Sequence, residues 1–288
     1  MHLSRIDWRN EGPTLVFDDF CLRKRKKFNP LGKTFTMIVG DNKYCVGYYD
    51  LESLESFPCP YCTHMQETDK GNECEQCRKK SGFNPAFYNA STVSSKQAQY
   101  NNRPHSVYLA WFCPGVVKVG IAMSERIVTR LNEQGARYAI TVAQTSNAVD
   151  ARCIEKELSS KWHLPERLTN RQKIDYVLKG EPNLVDARFE LLEQARRTGM
   201  TTIQEYGEIN QAYFAESIDY SNLFVPKHNE PRHLSGECVG LIGSLGIMRQ
   251  DDLFFIYSIK EFISWEVWLH DNVCLIRDSP ENGQMSLW

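Results

Sequence analysis

Cys59-Pro60-Tyr61-Cys62 and Cys74-Glu75-Gln76-Cys77 set four thiols in two identical hooks, eleven residues apart. A Cys-x-x-Cys hook places two sulfurs on one side of a tight turn. Two hooks can close a tetrahedron around Zn²⁺, so Cys59, Cys62, Cys74 and Cys77 are the expected metal ligands. Four protein ligands leave no open coordination position, so this zinc is expected to be structural and to hold a core-poor segment folded. His64 could replace one ligand. An iron–sulfur cluster and a redox-active hook are the alternatives. Redox chemistry needs one hook rather than two, and no thioredoxin-like βαβ pattern surrounds these. The other six of the ten cysteines, Cys21, Cys45, Cys113, Cys153, Cys238 and Cys274, are expected to be buried small apolar residues.

A second group with chemical potential is the unbroken basic run Arg23, Lys24, Arg25, Lys26 and Lys27. Such a run is usually a solvated loop or strand edge. It is also the candidate nucleic-acid-binding patch, because clustered cations attract phosphate.

The elements that must position these groups fall into several segments. Residues 1–57 read as an N-terminal β segment: Pro13–Phe17 is a short apolar run, and Lys33–Val39 and Tyr44–Tyr49 flank Gly40-Asp41-Asn42-Lys43 as an apparent hairpin. Residues 58–82 hold the cysteine module. Ser91–Arg103 is polar and reads as a linker. From His105 the pattern becomes regular. Ser106–Phe112 and Val116–Ala122 are strands joined at Pro114-Gly115. Ser124 is the expected N-cap of a helix carrying Ile127, Val128 and Leu131 and ending at Gly135. Ala139–Ala143 is a third strand. Ile154, Leu158 and Trp162 then mark one face of a second helix. The order is β-β-α-β-α. Thr169 and Gln172 have capping-box spacing at the start of a helix to Leu178. Residues 181–225 read as a helical extension, with a helix after Pro182 closed by Gly199. Residues 226–288 are β-rich again, suit a curved sheet or small barrel, and are expected to pack on 1–57. The fold class is therefore α+β.

Residues 106–162 resemble the GIY-YIG nuclease superfamily. The resemblance is carried by Ser106-Val107-Tyr108, Lys118-Val119-Gly120, Thr129-Arg130-Leu131 and Cys153-Ile154-Glu155-Lys156-Glu157-Leu158. It covers the domain over 104–180. In that superfamily a β-hairpin carries two tyrosines, and an arginine and a glutamate on the two helices converge beside them. The whole chain also resembles an uncharacterised bacterial family, domain of unknown function 2797. That likeness rests on the cysteine pairs, His105–Ala110, Lys118–Ile121, Thr129–Ala136 and Ser235–Gly240.

The GIY-YIG likeness implies a catalytic set of Tyr108, Lys118, Arg130 and Glu155. Phosphodiester hydrolysis wants a divalent metal on a carboxylate, a cation on the phosphoryl oxygens, and a group to take the water's proton. Glu155 would hold Mg²⁺ or Mn²⁺, Arg130 would neutralise phosphate charge, Tyr108 would be the surviving phenol and Lys118 a second cation. The sequence departs from the family at two places. Lys118 stands where the second tyrosine falls, and Gln134, which cannot act as a base, follows the arginine by four. Arg126 competes with Arg130 on spacing. Three functions follow: a metal-dependent nuclease or phosphodiesterase, a non-catalytic DNA- or RNA-binding protein, or an enzyme of another class using the cleft for a nucleotide or small polar substrate.

Composition bounds these readings. The chain has 288 residues, 42% hydrophobic and 24% charged, which excludes a wholly disordered or fibrous protein. The net charge of −2 excludes a strong global pull toward nucleic acid, so binding must use a local patch. Residues 105–180 supply eleven Lys and Arg against seven Asp and Glu. No run of 18 apolar residues exists, so no membrane partner is expected. The first residues show no secretory pattern, so a cytoplasmic location is expected.

Overall fold

The structure is a computed structural model. It describes residues 1–9, 12–19, 22, 24–61, 71–84, 93–207, 209, 213–227 and 232–281. The chain is a mixed α+β protein that divides into two compact units. Unit 1 comprises Met1–Phe83 with Tyr213–Trp288, and unit 2 is Asn84–Ala212. Unit 2 is thus inserted, in chain order, between the two halves of unit 1.

The first half of unit 1 contributes β1 (His2–Asp7), β2 (Thr14–Asp19), β3 (Lys24–Phe28), β4 (Thr34–Lys43), β5 (Tyr48–Asp50), β6 (Glu55–Phe57) and the short helix α1 (Glu75–Ser81). In unit 2 lie α2 (Ser95–Asn101), β7 (His105–Cys113), β8 (Val116–Met123), α3 (Ile127–Gln134), β9 (Tyr138–Thr145), α4 (Ala148–Trp162), α5 (Asn170–Val177), α6 (Leu184–Arg197) and β10 (Gln204–Tyr206). The second half of unit 1 adds β11 (Leu223–Phe224), β12 (His233–Ile242), β13 (Leu245–Gln250), β14 (Leu253–Ser258) and β15 (Trp265–Asp271).

Strands from both chain ends of unit 1 share one nine-stranded sheet, ordered β11-β14-β13-β12-β4-β15-β1-β2-β3. Alternation along β2 sends Leu15 and Phe17 into a core with Leu3, Phe35, Met37, Leu241 and Phe255. Strand β3 is an edge. Its lysines line that edge, which is how natural sheets discourage unwanted strand pairing.

Three local expectations are corrected. Gly40-Asp41-Asn42-Lys43 is no turn: β4 runs straight through it to pair with β15. Gly40 is there because the Trp268 ring lies over it, 2.8 Å from where a Cβ would stand. The polar stretch read as a linker contains helix α2. Ser94 caps it by accepting from the Gln97 amide, and the buried Gln97 side chain bonds both backbone groups of Asn84. Ser124 does not cap α3. It opens a 3₁₀ turn, and its hydroxyl pairs with Ser106 Oγ at 2.9 Å.

Unit 2 has the element order β-β-α-β-α over 105–162, on a four-stranded sheet ordered β10-β9-β7-β8. Strand β7 is buried at every position because both its faces are covered. Val107, Leu109 and Trp111 face α4 and α6; Tyr108, Ala110 and Phe112 face α3. Gly135, left-handed at φ 75°, stops α3, and the Thr169/Gln172 capping box starts α5. Strand β8 is an edge, so chain following α4 can line it: Val119 N–H donates to the Pro165 carbonyl at 3.1 Å. No helix among the described residues is long and apolar enough to cross a membrane.

Candidate functional site

In unit 1 the sulfurs of Cys45, Cys59, Cys74 and Cys77 all lie within 4.8 Å of one another. A tetrahedral zinc thiolate site needs sulfurs about 3.8 Å apart, and Cys59 Sγ to Cys74 Sγ is 3.9 Å. Backbone amides point at the cluster. Gly47 N–H and Cys74 N–H donate to Cys45 Sγ, and Cys77 N–H donates to Cys74 Sγ at the start of α1. Burial, with Cys59 and Cys74 beside it, pushes the Cys45 thiol up to about 12. Burial, then Cys45 and Cys59, also push Cys77 up. Such a group becomes a set of thiolates only around a cation, so the donor set fits a metal ion such as zinc.

Cys62 lies outside the described residues, as does His64. Cys45 is the sulfur of this group that the hook pattern misses. It was expected to be a buried apolar residue, and it reaches the hooks from the end of β4. Cys113 and Cys238 are buried as expected, whereas Cys153 is exposed and Cys274 half-buried. Cys21 lies outside the described residues.

The second constellation is in unit 2. Tyr108 on β7 stands directly opposite Gly120 on β8, and Lys118 two residues earlier shares their face. Tyr108 is 1% exposed, Lys118 8% and Glu155 6%. The Lys118 amine sits 5.6 Å from the centre of the Tyr108 ring and donates to the Val119 carbonyl at 3.2 Å. Gln134, at the end of α3, donates its side-chain amide to the Tyr108 hydroxyl. Arg130, one turn earlier, also hydrogen-bonds that hydroxyl and pairs with Glu133 at 3.1 Å. Arg126 pairs with Glu133 at 3.3 Å. Glu155 on α4 interacts electrostatically with both Lys118 and Tyr108. The four residues named from sequence therefore come together from four elements. The neighbours Lys156 and Glu157 point to solvent.

Three further side chains complete the cluster. Arg152 Nη1 donates to Glu155 and, at 2.8 Å, to Glu166, holding both carboxylates. Lys173 donates to the Gln134 carbonyl at 2.6 Å. The i,i+3 spacing of Arg152 and Glu155 is a sequence signal for their pairing. Glu166 and Lys173 carry no such signal, because a chain reversal after α4 and a packed α5 deliver them.

The electrostatics follow from burial and from this crowd of cations. Burial, with Arg130 and Lys173 nearby, drops the Lys118 amine to about 7, against the pull of Glu155. Burial raises the Glu155 carboxyl, and Arg152 opposes the rise. Burial also raises the Tyr108 phenol against Arg130 and Gln134, so it remains a protonated donor at neutral pH. A partly neutral amine, a fixed phenol, a half-exposed arginine and a buried carboxylate can together bind an oxyanion and move a proton.

Gly120 is part of this site. A Cβ there would collide with the Tyr108 ring and hydroxyl. Gly120→Ala is expected to displace the phenol from Gln134 and destabilise unit 2 by about 1–3 kcal/mol, as overpacking does. Urea unfolding of the variant against wild type checks this.

The basic run is partly engaged. Arg25 makes a bidentate pair with Asp18 and donates to the Ser56 carbonyl at 2.6 Å. Lys24 and Lys27 are exposed, and Lys26 lies 3.7 Å from Asp271. Arg23 lies outside the described residues.

No curated protein and no solved structure matches the chain. One family matches over residues 32–267, most of the length, including Cys45, both hooks and all four residues of the unit 2 cluster. The chain belongs to that family, described as protein of unknown function (DUF2797).

Proposed function

We propose that unit 2 is a divergent GIY-YIG-like domain that grips a phosphodiester of nucleic acid and hydrolyses it, and that the cysteine cluster of unit 1 is a structural zinc site. The observation that carries this reading is the convergence of Tyr108, Lys118, Arg130 and Glu155 on one side of the β7–β8 hairpin.

Each residue has a role that its surroundings support. Arg130, half-exposed, binds the phosphoryl oxygens. Tyr108, held by Gln134, donates to one of them. The Lys118 amine, poised at about 7, takes the proton of the attacking water. It does so from the place where the superfamily carries a second tyrosine. Glu155 and Glu166 are oxygen donors of the class that binds Mg²⁺ or Mn²⁺, and Arg152 now occupies the place between them. They would hold the ion once that guanidinium swings aside. A bound divalent ion would supply positive charge to the phosphoryl group and a more acidic water.

A second reading is favoured by the same arginine. With Glu155 neutralised by Arg152, the cleft carries surplus positive charge and could serve binding alone. Arg130→Ala distinguishes a phosphate contact from a surface salt bridge. Oligonucleotide affinity is expected to fall about tenfold at low salt, and the slope of log affinity against log salt to shrink by about one. Unchanged affinity and slope would remove Arg130 from the contact. Fluorescence anisotropy at several salt concentrations reads both quantities.

A further inference from the structure

Unit 1 carries a second concentration of arginine, on the face of β1–β3 opposite the core. Cross-strand register sets Arg5, Val16 and Lys27 in one row, and His2, Asp18 and Arg25 in another. Two of the three arginines are fully used. Arg25 forks onto Asp18 at 2.7 and 2.8 Å, and Arg9 forks onto Asp7 at 2.9 and 2.7 Å. Their remaining nitrogens donate to the carbonyls of Ser56 and Leu54.

Arg5 is left over. Its closest carboxylate oxygen is Asp7 Oδ2 at 3.8 Å, which Arg9 already holds. Its Nε is buried and has no hydrogen-bond acceptor among the described residues. Burial and then the neighbouring charge of Arg25 bring its guanidinium down to about 10; Asp7 opposes the fall, Arg9 adds to it by less, and Asp18 also opposes it, so the group stays charged at neutral pH. His2 adds no charge there, because burial lowers it to about 4. Lys27 faces Arg5 across Val16 with its amine in solvent.

A charged guanidinium whose nearest carboxylate is shared with Arg9 and lies 3.8 Å away calls for an anion. Its terminal nitrogens can donate to one oxygen of a tetrahedral phosphate, and Lys27 can take another. We infer that Arg5, with Lys27 beside it, forms a phosphate-binding site in unit 1, separate from the unit 2 cluster. The phosphate group can be free or can belong to a polynucleotide running along the lysines of β3.

The test uses the metal-loaded full chain carrying Arg130→Ala, so that the unit 2 cleft contributes less. Calorimetric titration with inorganic phosphate is compared between this chain and the same chain with Arg5→Gln. Binding by the first, weakened at least about tenfold in the second, is the expected result. Arg5→Lys, which keeps the charge and loses the planar guanidinium, is expected to fall between. An oligonucleotide arm separates the sources: competition by phosphate for a bound oligonucleotide assigns the site to nucleic acid, and its absence assigns it to the free anion. Binding of neither probe, or equal binding after Arg5→Gln, overturns the proposal. Thermal unfolding and metal content show that the variant is folded. Removing a charge that only shares Asp7 with Arg9 is expected to leave both unharmed or to raise the unfolding temperature.

Discussion

Cys45→Ser is expected to strip the metal from unit 1, although Cys45 belongs to neither hook. A thiolate lost from the inner coordination sphere should weaken zinc binding by more than the ~10–100-fold that loss of an outer partner costs. The consequence for folding is large, because structural zinc binds with ~10–16 kcal/mol that the apo segment cannot supply. The segment around α1 is short and contributes only Cys77 and Ser81 as buried side chains. Metal content by atomic absorption, with protease susceptibility between residues 58 and 83, reads the effect. Full zinc retention in Cys45→Ser would show that the sulfur only packs against the site. The same substitution at Cys77, which is fully buried, is expected to be at least as damaging.

Lys118→Met is expected to cost activity and gain stability. A positioned proton acceptor is worth ~10²–10⁴ in rate, so cleavage should fall by that factor. The stability change has the opposite sign. Below pH about 7 the amine is charged in both the folded and the unfolded chain, and its burial carries the full penalty. Between about 7 and 10.5 the folded chain is neutral while the unfolded chain still binds the proton, so stability rises with pH. Above 10.5 both are neutral and the penalty is gone. The displacement corresponds to up to about 5 kcal/mol. Methionine removes the titration, so the variant should melt higher than wild type at pH 6 and lose the wild-type rise between pH 7 and 10. Thermal unfolding across that range, without added divalent ions, checks the sign. A wild-type rate that climbs through pH about 7 and a flat profile in the variant would tie the same amine to catalysis.

Parts of this molecule were legible because their signals are local. The β7–β8 hairpin, the glycine stop of α3 and the capping box of α5 each depend on a few adjacent residues, and each is where the pattern places it. The cluster was named as a set by the resemblance of residues 106–162 to the GIY-YIG superfamily, with which the element order read from periodicity agrees. What failed is long-range. Gly40 looks like a turn residue until Trp268, 228 positions away, is laid over it. Cys45 looks like a core thiol until β4 is extended to its true end and delivers it to the hooks. Gln97 turns a polar linker into a helix by finding the backbone of Asn84. Arg5 drew no notice at all, because an arginine in an isolated strand says nothing until the neighbours that consume the nearby carboxylates are known.

The claim that matters most is that the unit 2 cleft breaks phosphodiesters through Glu155. Wild type and Glu155→Ala should be run side by side on mixed DNA and RNA substrates with Mn²⁺, with binding recorded at low and high salt. The expected result is cleavage by wild type alone, with salt-sensitive binding retained by both proteins. Binding without cleavage by wild type, or equal cleavage by both, would contradict it.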